Sequence, residues 1–235
     1  QNRVVVPLED ISPWMQKAQV AVEDKRFWLH NGVDGEGLLS AAYENLRSTE
    51  TRGASTITQQ LVKNTLLQAA EAISDEAQSR AAVEAATEVS LVRKIREWRL
   101  ALAYEERLNG IYGTVCSEDP KVDCGKEQVL QQYLNIAQYG PSLFGVEAAA
   151  QLYFGVPAKE LTAIQAATIA GITQNPTQWD PLQHPEQSQT RRNVVLKVMR
   201  EQGLITLAEY VTYINTPIES TLNVTYPKFS CAASD

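Results

Sequence analysis

The chain has 235 residues, enough for one sizeable domain or for two lobes around one core. Hydrophobic residues make up 44% and charged residues 21%, as in a globular protein, and a net charge of -7 argues against non-specific nucleic-acid binding. No apolar run approaches the ~18–20 residues that span a bilayer; the best candidate, Leu161 to Ile172, carries Thr162, Gln165 and Thr168 and reads as a buried core helix.

No secretory signal is visible at the N-terminus. The start at Gln1-Asn2-Arg3, without Met, suggests a trimmed chain, so an N-terminal anchor would lie outside it. The first helix opens at Ser12-Pro13, with Ser at the N-cap and Pro at the first helical position. It should run to about Val22, which leaves Glu23 at its end or just beyond. A second helix is predicted over Leu38 to Leu46 and a third near Gly53. In the third, Thr56-x-x-Gln59 fits a capping box, and Thr56, Gln60 and Lys63 share a face.

From Gln68 to Glu88 the chain is rich in Ala and acidic residues, which predicts an exposed helix or a mobile insert. Leu91 to Leu108 reads as an amphipathic helix with an apolar stripe of Leu91, Ile95, Trp98 and Leu102. Arg93, Lys94 and Glu97 fall on a different face. Cys116 and Cys124 bracket a polar stretch that reads as a loop. A disulfide closing that loop fits an oxidising compartment; two free thiols are the alternative. Neither His30 nor His184 has zinc-ligand spacing to the pair. Cys231 is left over.

Further helices are predicted at Glu127–Ala137, Gly145–Phe154, Thr162–Ile172 and Glu186–Gln202, with Gly203 as the terminator of the last. Thr206-x-x-Glu209 caps one more short helix. Pro217 to Asp235 reads as an extended tail or linker. No segment pairs convincingly into a large sheet.

Three runs hold the chemistry-bearing side chains. Glu23 and Asp24 sit near Phe27, Trp28 and His30, and a carboxylate beside aromatic rings favours a raised pKa and acid/base work. An ordinary helix-end carboxylate balanced by Lys25 and Arg26 is the alternative. Ser55, Thr56, Thr58, Gln59 and Gln60 crowd a helix start, where backbone N–H groups favour anions, and Lys63 follows one turn later. A well-capped helix with a polar face would look similar. Arg93, Lys94, Arg96, Glu97 and Arg99 form a cationic cluster in an acidic protein, which suggests an anionic ligand. An i,i+4 pair between Arg93 and Glu97 is the plainer reading, and with Arg first its orientation is the weaker one. Paired carboxylates cleave glycosides. If one acts as base while cations hold a departing diphosphate, the same pair builds them, because expelling diphosphate requires neutralisation of developing charge.

The runs Glu23-Asp24-x-x-Phe27-x-x-His30-x-Gly32, Gly53-x-Ser55-Thr56-Ile57-Thr58-Gln59-Gln60 and Arg93-Lys94-x-x-Glu97 resemble, in order, the first three motifs of family 51 glycosyltransferases, the peptidoglycan polymerases of bacterial cell walls. Tyr133-Leu134-Asn135 resembles the fourth motif, and Gly145 to Ala150 with Tyr153-Phe154-Gly155 the segment after it. The likeness covers roughly residues 8 to 205.

The resemblance implies a mainly α, lysozyme-like bilobal fold, with a head lobe and a small membrane-facing jaw lobe. It implies a glycosyltransferase domain over 1–216, with 65–92 as the jaw insert, and a linker over 217–235 towards an absent transpeptidase, as in class A penicillin-binding proteins. The implied reaction polymerises lipid II into β-1,4 glycan with inversion and release of undecaprenyl diphosphate. Glu23 then matches the general base and Glu97 the second carboxylate. Lys63, Arg93 and Lys94 match residues that hold the diphosphate or the donor-site fold. Ser55, Thr56, Gln59 and Gln60 match the cleft-lining motif, and Asp24, Phe27, His30 and Asn64 complete the substrate-binding set. No cofactor is implied, with divalent-metal assistance to Glu97 left open. The implied partners are lipid II, the growing strand, the outer face of the cell membrane, cell-wall synthesis proteins and phosphoglycolipid inhibitors of the moenomycin type. The sequence departs from the family between Asn64 and Arg93, where the stretch is longer and Val89 stands where an Arg is expected; Arg80 is a candidate substitute. Two alternatives remain: a lysozyme-like hydrolase, which needs no Lys63–Arg93–Lys94 set, and an inactive cell-wall binding or scaffold module, against which both carboxylates speak.

Overall fold

The computed structural model describes residues 4–39, 55–88, 90–116 and 124–226. Most of the predicted second helix, Gly53, Val89 and Cys231 lie outside the described residues; residues 35–39 are helical, so that helix opens earlier than predicted. The described residues are mainly α-helical, as the sequence leads one to expect. The chain divides into two compact units, residues 1–22 with 138–235, and residues 23–137.

The first unit opens with α1 (Pro13–Glu23), whose last residue belongs to the second unit. Trp14 N donates to Ser12 Oγ, and Ser12 Oγ donates to Leu161 O, so the predicted cap also ties the helix start to a distant loop. A short antiparallel pair, β1 (Gln138–Gly140) and β2 (Leu143–Phe144), follows much later in the chain. It precedes α6 (Val146–Phe154), α7 (Ala163–Ile172), α8 (Pro185–Glu201) and α9 (Leu207–Ile214). α7 packs along α8 through residues such as Ile169, Ile172, Val195 and Met199, all buried. Gly203 ends α8 with φ +71°, and both capping boxes, Thr162/Gln165 and Thr206/Glu209, form. The segment after Pro217 is docked rather than free through its described part. Ile218 is fully buried, and the Asn223 and Thr225 amides donate to Tyr153 O and Leu152 O near the end of α6, each at 2.9 Å. Those carbonyls have no intrahelical partner at a helix end, which is why an extended strand suits them.

The second unit contains α2 (Ile57–Glu71), α3 (Glu76–Thr87), α4 (Leu91–Tyr112) and α5 (Gly125–Ile136). α2 packs against the other three, and α4 against α5. Ile57, Leu61, Ala101, Val129, Leu130 and Leu134 supply its core. α3 buries no residue, in keeping with its composition. The stripe predicted for α4 is wrongly oriented. Leu91, Ile95 and Leu102 are 83%, 54% and 47% exposed, and the buried face carries Glu97, Ala101, Glu105 and Leu108. Two of those buried positions are partnered carboxylates: Glu105 meets Lys126 and Thr58 on neighbouring helices, and Glu97 pairs with Arg93 within α4 itself. Cys116 and Cys124 form the disulfide, and Cys124 also caps α5 in a capping box with Glu127. The bridge therefore fastens the exit of α4 to the entry of α5.

Candidate active site

Every candidate of the three motif runs lies in the second unit. Glu23 ends α1, and Gln60 Nε2 donates to Glu23 Oε2 at 2.8 Å. Tyr133 OH on α5 donates to Gln60 Oε1 at 3.0 Å. A tyrosine, an amide and a carboxylate thus form a relay across three helices, and the amide can donate to Glu23 because its oxygen is engaged elsewhere.

Asp24 turns inward. Its carboxylate accepts from His30 Nε2 at 3.0 Å and from Ile57 N at 3.0 Å, the first N–H of α2. A carboxylate at a helix N-terminus meets both orphan donors and the positive end of the dipole. Thr56 Oγ1 accepts from Gln59 N and donates to Gly32 O at 2.6 Å. Only the first half of the predicted capping box forms, since the Gln59 side chain does not reach back. Gly32 needs to be glycine: its φ is +77°, and a Cβ would stand 2.7 Å from Ala101 O. Asp24, Phe27, His30, Thr56, Thr58 and Gln59 are all buried, so they shape the unit from inside. Arg26 fastens the same turn by ion pairs to Asp34 and Glu36 at 3.1 and 2.6 Å. Phe27 makes edge contacts with the Trp28 and His30 rings. The aromatic cluster anticipated beside Glu23 closes instead around Asp24's partner His30.

Glu97 is buried at the start of α4 and paired with Arg93, with Lys94 Nζ at 3.8 Å. The plain i,i+4 pair is therefore real, and its carboxylate is buried. Lys94 Nζ donates to Ser55 Oγ at 2.7 Å, joining the third run to the second. Burial lowers the Lys94 pKa below its ordinary value; the Glu97 charge opposes this, while Arg93 and Lys63 add to it. Lys63 is exposed on α2, one turn beyond Gln60, with half-buried Asn64 beside it. Arg93 and Lys94 of α4 pair with Glu97, and Lys63, on the helix that also holds Gln60 against Glu23, is near enough to Lys94 for its charge to act there. Arg80, by contrast, pairs with Glu76 within exposed α3.

The sequence reading missed a second buried set. Lys126 on α5 pairs with Glu105 on α4 at 2.7 Å, and Thr58 Oγ1 donates to Glu105 at 2.8 Å. The available signal was spacing: Lys126 and Tyr133 are two turns apart on one helix face. Arg192, fully buried in the first unit, also escaped notice; it donates to Thr216 O and the Asn193 side chain.

A family model described as transglycosylase matches residues 1–200. The chain belongs to this transglycosylase family. It is 35% identical over 219 residues to penicillin-binding protein 1A of Aquifex aeolicus, covering 93% of this chain and 26% of that protein. It is 36% identical over 211 residues to penicillin-binding protein 1A of Escherichia coli strain K12, covering 89% and 21%. A solved structure of penicillin-binding protein 1A from Haemophilus influenzae is similar at 36% identity and a TM-score of 0.40, over 46% of this chain and 16% of that one. The transglycosylase chain thus spans about a quarter of the length of the curated relatives it matches. Among its described residues no helix is long and apolar enough to cross a membrane, and no His/Cys/Asp/Glu group forms a metal cluster.

Proposed function

We propose that this transglycosylase chain polymerises lipid II into β-1,4 glycan strands, inverting the donor's anomeric carbon and releasing undecaprenyl diphosphate. The observation that carries the reading is the joining of Glu23, through Gln60 on α2, to a helix whose next turn brings Lys63 to the Arg93–Lys94–Glu97 group. Glu23 takes the proton from the acceptor sugar's 4-hydroxyl as that oxygen attacks the donor's anomeric carbon. The bond to the diphosphate breaks, and Lys63, Arg93 and Lys94 face the charge that develops on it. Glu97 holds Arg93 and Lys94 in place. Proximity of the two bound sugars supplies a large share of the acceleration.

The surface of α4 supports a membrane setting. Val92, Ile95, Arg96, Arg99, Leu100 and Ala103 line an open groove of about 460 Å³, and Leu91 on the same helix is exposed. Apolar side chains interleaved with arginines suit an interface of acyl chains and anionic headgroups, where a polyprenyl substrate resides. The chain would work at the outer face of the bacterial membrane, alongside other cell-wall synthesis proteins, and would take phosphoglycolipids of the moenomycin type as inhibitors. The cations around Glu97 favour this reading over a hydrolase.

The test is incubation with labelled lipid II in detergent, with products resolved on a gel beside Glu23→Gln. A ladder of glycan strands that vanishes in the variant is the expected result. Breakdown of finished peptidoglycan without a ladder would move the reading to hydrolysis, and a ladder from Glu23→Gln would remove Glu23 from the base role.

A further inference from the structure

Lys126 is an unusual place to keep a charge. Its side chain is 8% exposed and its partner Glu105 is 0% exposed. It also lies in the first turn of α5, where the helix dipole disfavours a cation. Burial drives its pKa below the ordinary lysine value, against the hydrogen bond and charge of Glu105 and the charge of Asp24. Buried ion pairs are weak stabilisers, and apolar residues of similar size often serve stability as well or better. Stability alone therefore gives little reason for this pair.

Its surroundings give a better one. Lys126 Nζ stands 4.4 Å from the centroid of the Phe27 ring, in cation–π position over the turn that follows Glu23 and Asp24. Glu105 accepts from Thr58 in the first turn of α2, the turn whose leading N–H is held by Asp24. Two turns along α5, Tyr133 holds Gln60, and Gln60 holds Glu23. The ion pair thus locks α2, α4 and α5 to the Phe27 turn, and these are the elements that set the Glu23 carboxylate.

We propose that Lys126, acting with Glu105, is a positioning residue for the transfer reaction: it holds the Phe27 turn against α2 and α5 so that Glu23 meets Gln60 in one orientation. Being buried, Lys126 touches no substrate and works through Phe27, Glu105 and α5. The inference rests on the reading of Glu23 as the base.

The decisive variant is the uncharged double substitution Lys126→Met/Glu105→Gln, which conserves volume and leaves no lone buried charge. It should unfold within a few degrees of wild type, yet lose about tenfold or more in kcat for lipid II with KM nearly unchanged, as a misplaced base requires. Lys126→Arg, which keeps the cation, should retain kcat within about threefold, since cation and pairing survive. Thr58→Val, which removes the donor to Glu105 without opening a cavity, should lower kcat severalfold at constant KM. A folded double variant with wild-type kcat would overturn the proposal. If the double variant does not fold, wild-type kcat in Thr58→Val overturns it instead. Full activity of Glu23→Gln would sink the underlying reading of Glu23 and this inference with it, whereas a dead Glu23→Gln beside an active double variant sinks the inference alone.

Discussion

Gln60 holds Glu23: its amide donates to the Glu23 carboxylate at 2.8 Å, while its oxygen accepts from Tyr133 OH at 3.0 Å. The carboxylate is thereby fixed by a side chain whose own orientation is fixed. Gln60→Leu should lower kcat for lipid II polymerisation by roughly tenfold or more, because small misplacements of a catalytic group are expensive. Tyr133→Phe leaves the amide in place but free to flip, so its loss should be smaller and in the same direction. Steady-state rates of both variants check the order; a wild-type rate in Tyr133→Phe would show that Gln60 does not depend on Tyr133.

Asp24 predicts a stability effect rather than a rate effect alone. Its carboxylate serves the Ile57 amide and His30 in a buried setting. Asp24→Ala strands both donors and removes a charged acceptor, at a cost of about 1.5–3 kcal/mol. In a chain of this size that lowers Tm by roughly 4–10 °C. Calorimetry on Asp24→Ala against wild type decides it, and an unchanged Tm would show that the cap contributes nothing.

The disulfide closes a short loop, Cys116 to Cys124 with a sequence separation of 8. Constraining a loop of that length stabilises by about 2.5 kcal/mol in the chain-entropy picture. Reduction, or Cys116→Ser with Cys124→Ser, should lower Tm by several degrees and should loosen the entry of α5, where Cys124 is also the N-cap. Unreduced protein in which both cysteines alkylate freely would contradict the bridge.

The pH dependence follows from Lys94, whose pKa burial lowers below 10.5. The sign differs for stability and for activity. Between the folded and unfolded pKa values the unfolded chain binds the extra proton, so this group's contribution to stability rises with pH. In the proposed reaction activity goes the other way, since neutral Lys94 would no longer face the leaving diphosphate with charge. The alkaline limb of kcat/KM should therefore fall at a pH below 10.5, and Lys94→Arg should move it upward because guanidinium stays charged. A limb unmoved in Lys94→Arg would assign it to another group.

Local rules made most helices legible, and tertiary partners decided the rest. Ser12-Pro13, Thr206-x-x-Glu209 and Gly203 mark helix ends through contacts within a few residues, so they could be read directly. The motif runs named the residues of the candidate site, but not which way each faces. Thr56 and Gln59 read as cleft-lining, yet the first is spent on Gly32 and α2 and the second is buried. Glu105 could not be recognised as interior, because nothing local distinguishes a carboxylate with a Lys126 waiting on another helix from one facing water. The same cause bears on α4: Glu105, partnered across helices, takes a buried position that the apolar stripe was expected to fill.

That exposed stripe yields a last prediction. Leu91, Val92 and Ile95 stand in the open at 83%, 78% and 54% exposure, on a helix whose opposite face holds Glu97. Exposed apolar side chains this close to the site proposed for a polyprenyl diphosphate have a use if they enter the acyl region of a bilayer. Replacing Leu91 and Ile95 by Asn removes apolar area worth about 1–2 kcal/mol each, which corresponds to a fall in vesicle partitioning of roughly tenfold per residue. Because neither side chain is part of the core, Tm should stay put. Co-sedimentation with anionic vesicles, alongside turnover of a soluble short-chain lipid II analogue, separates the possibilities. Loss of sedimentation with retained turnover of the analogue supports a membrane face on α4. Unchanged sedimentation would show that this surface has some other partner.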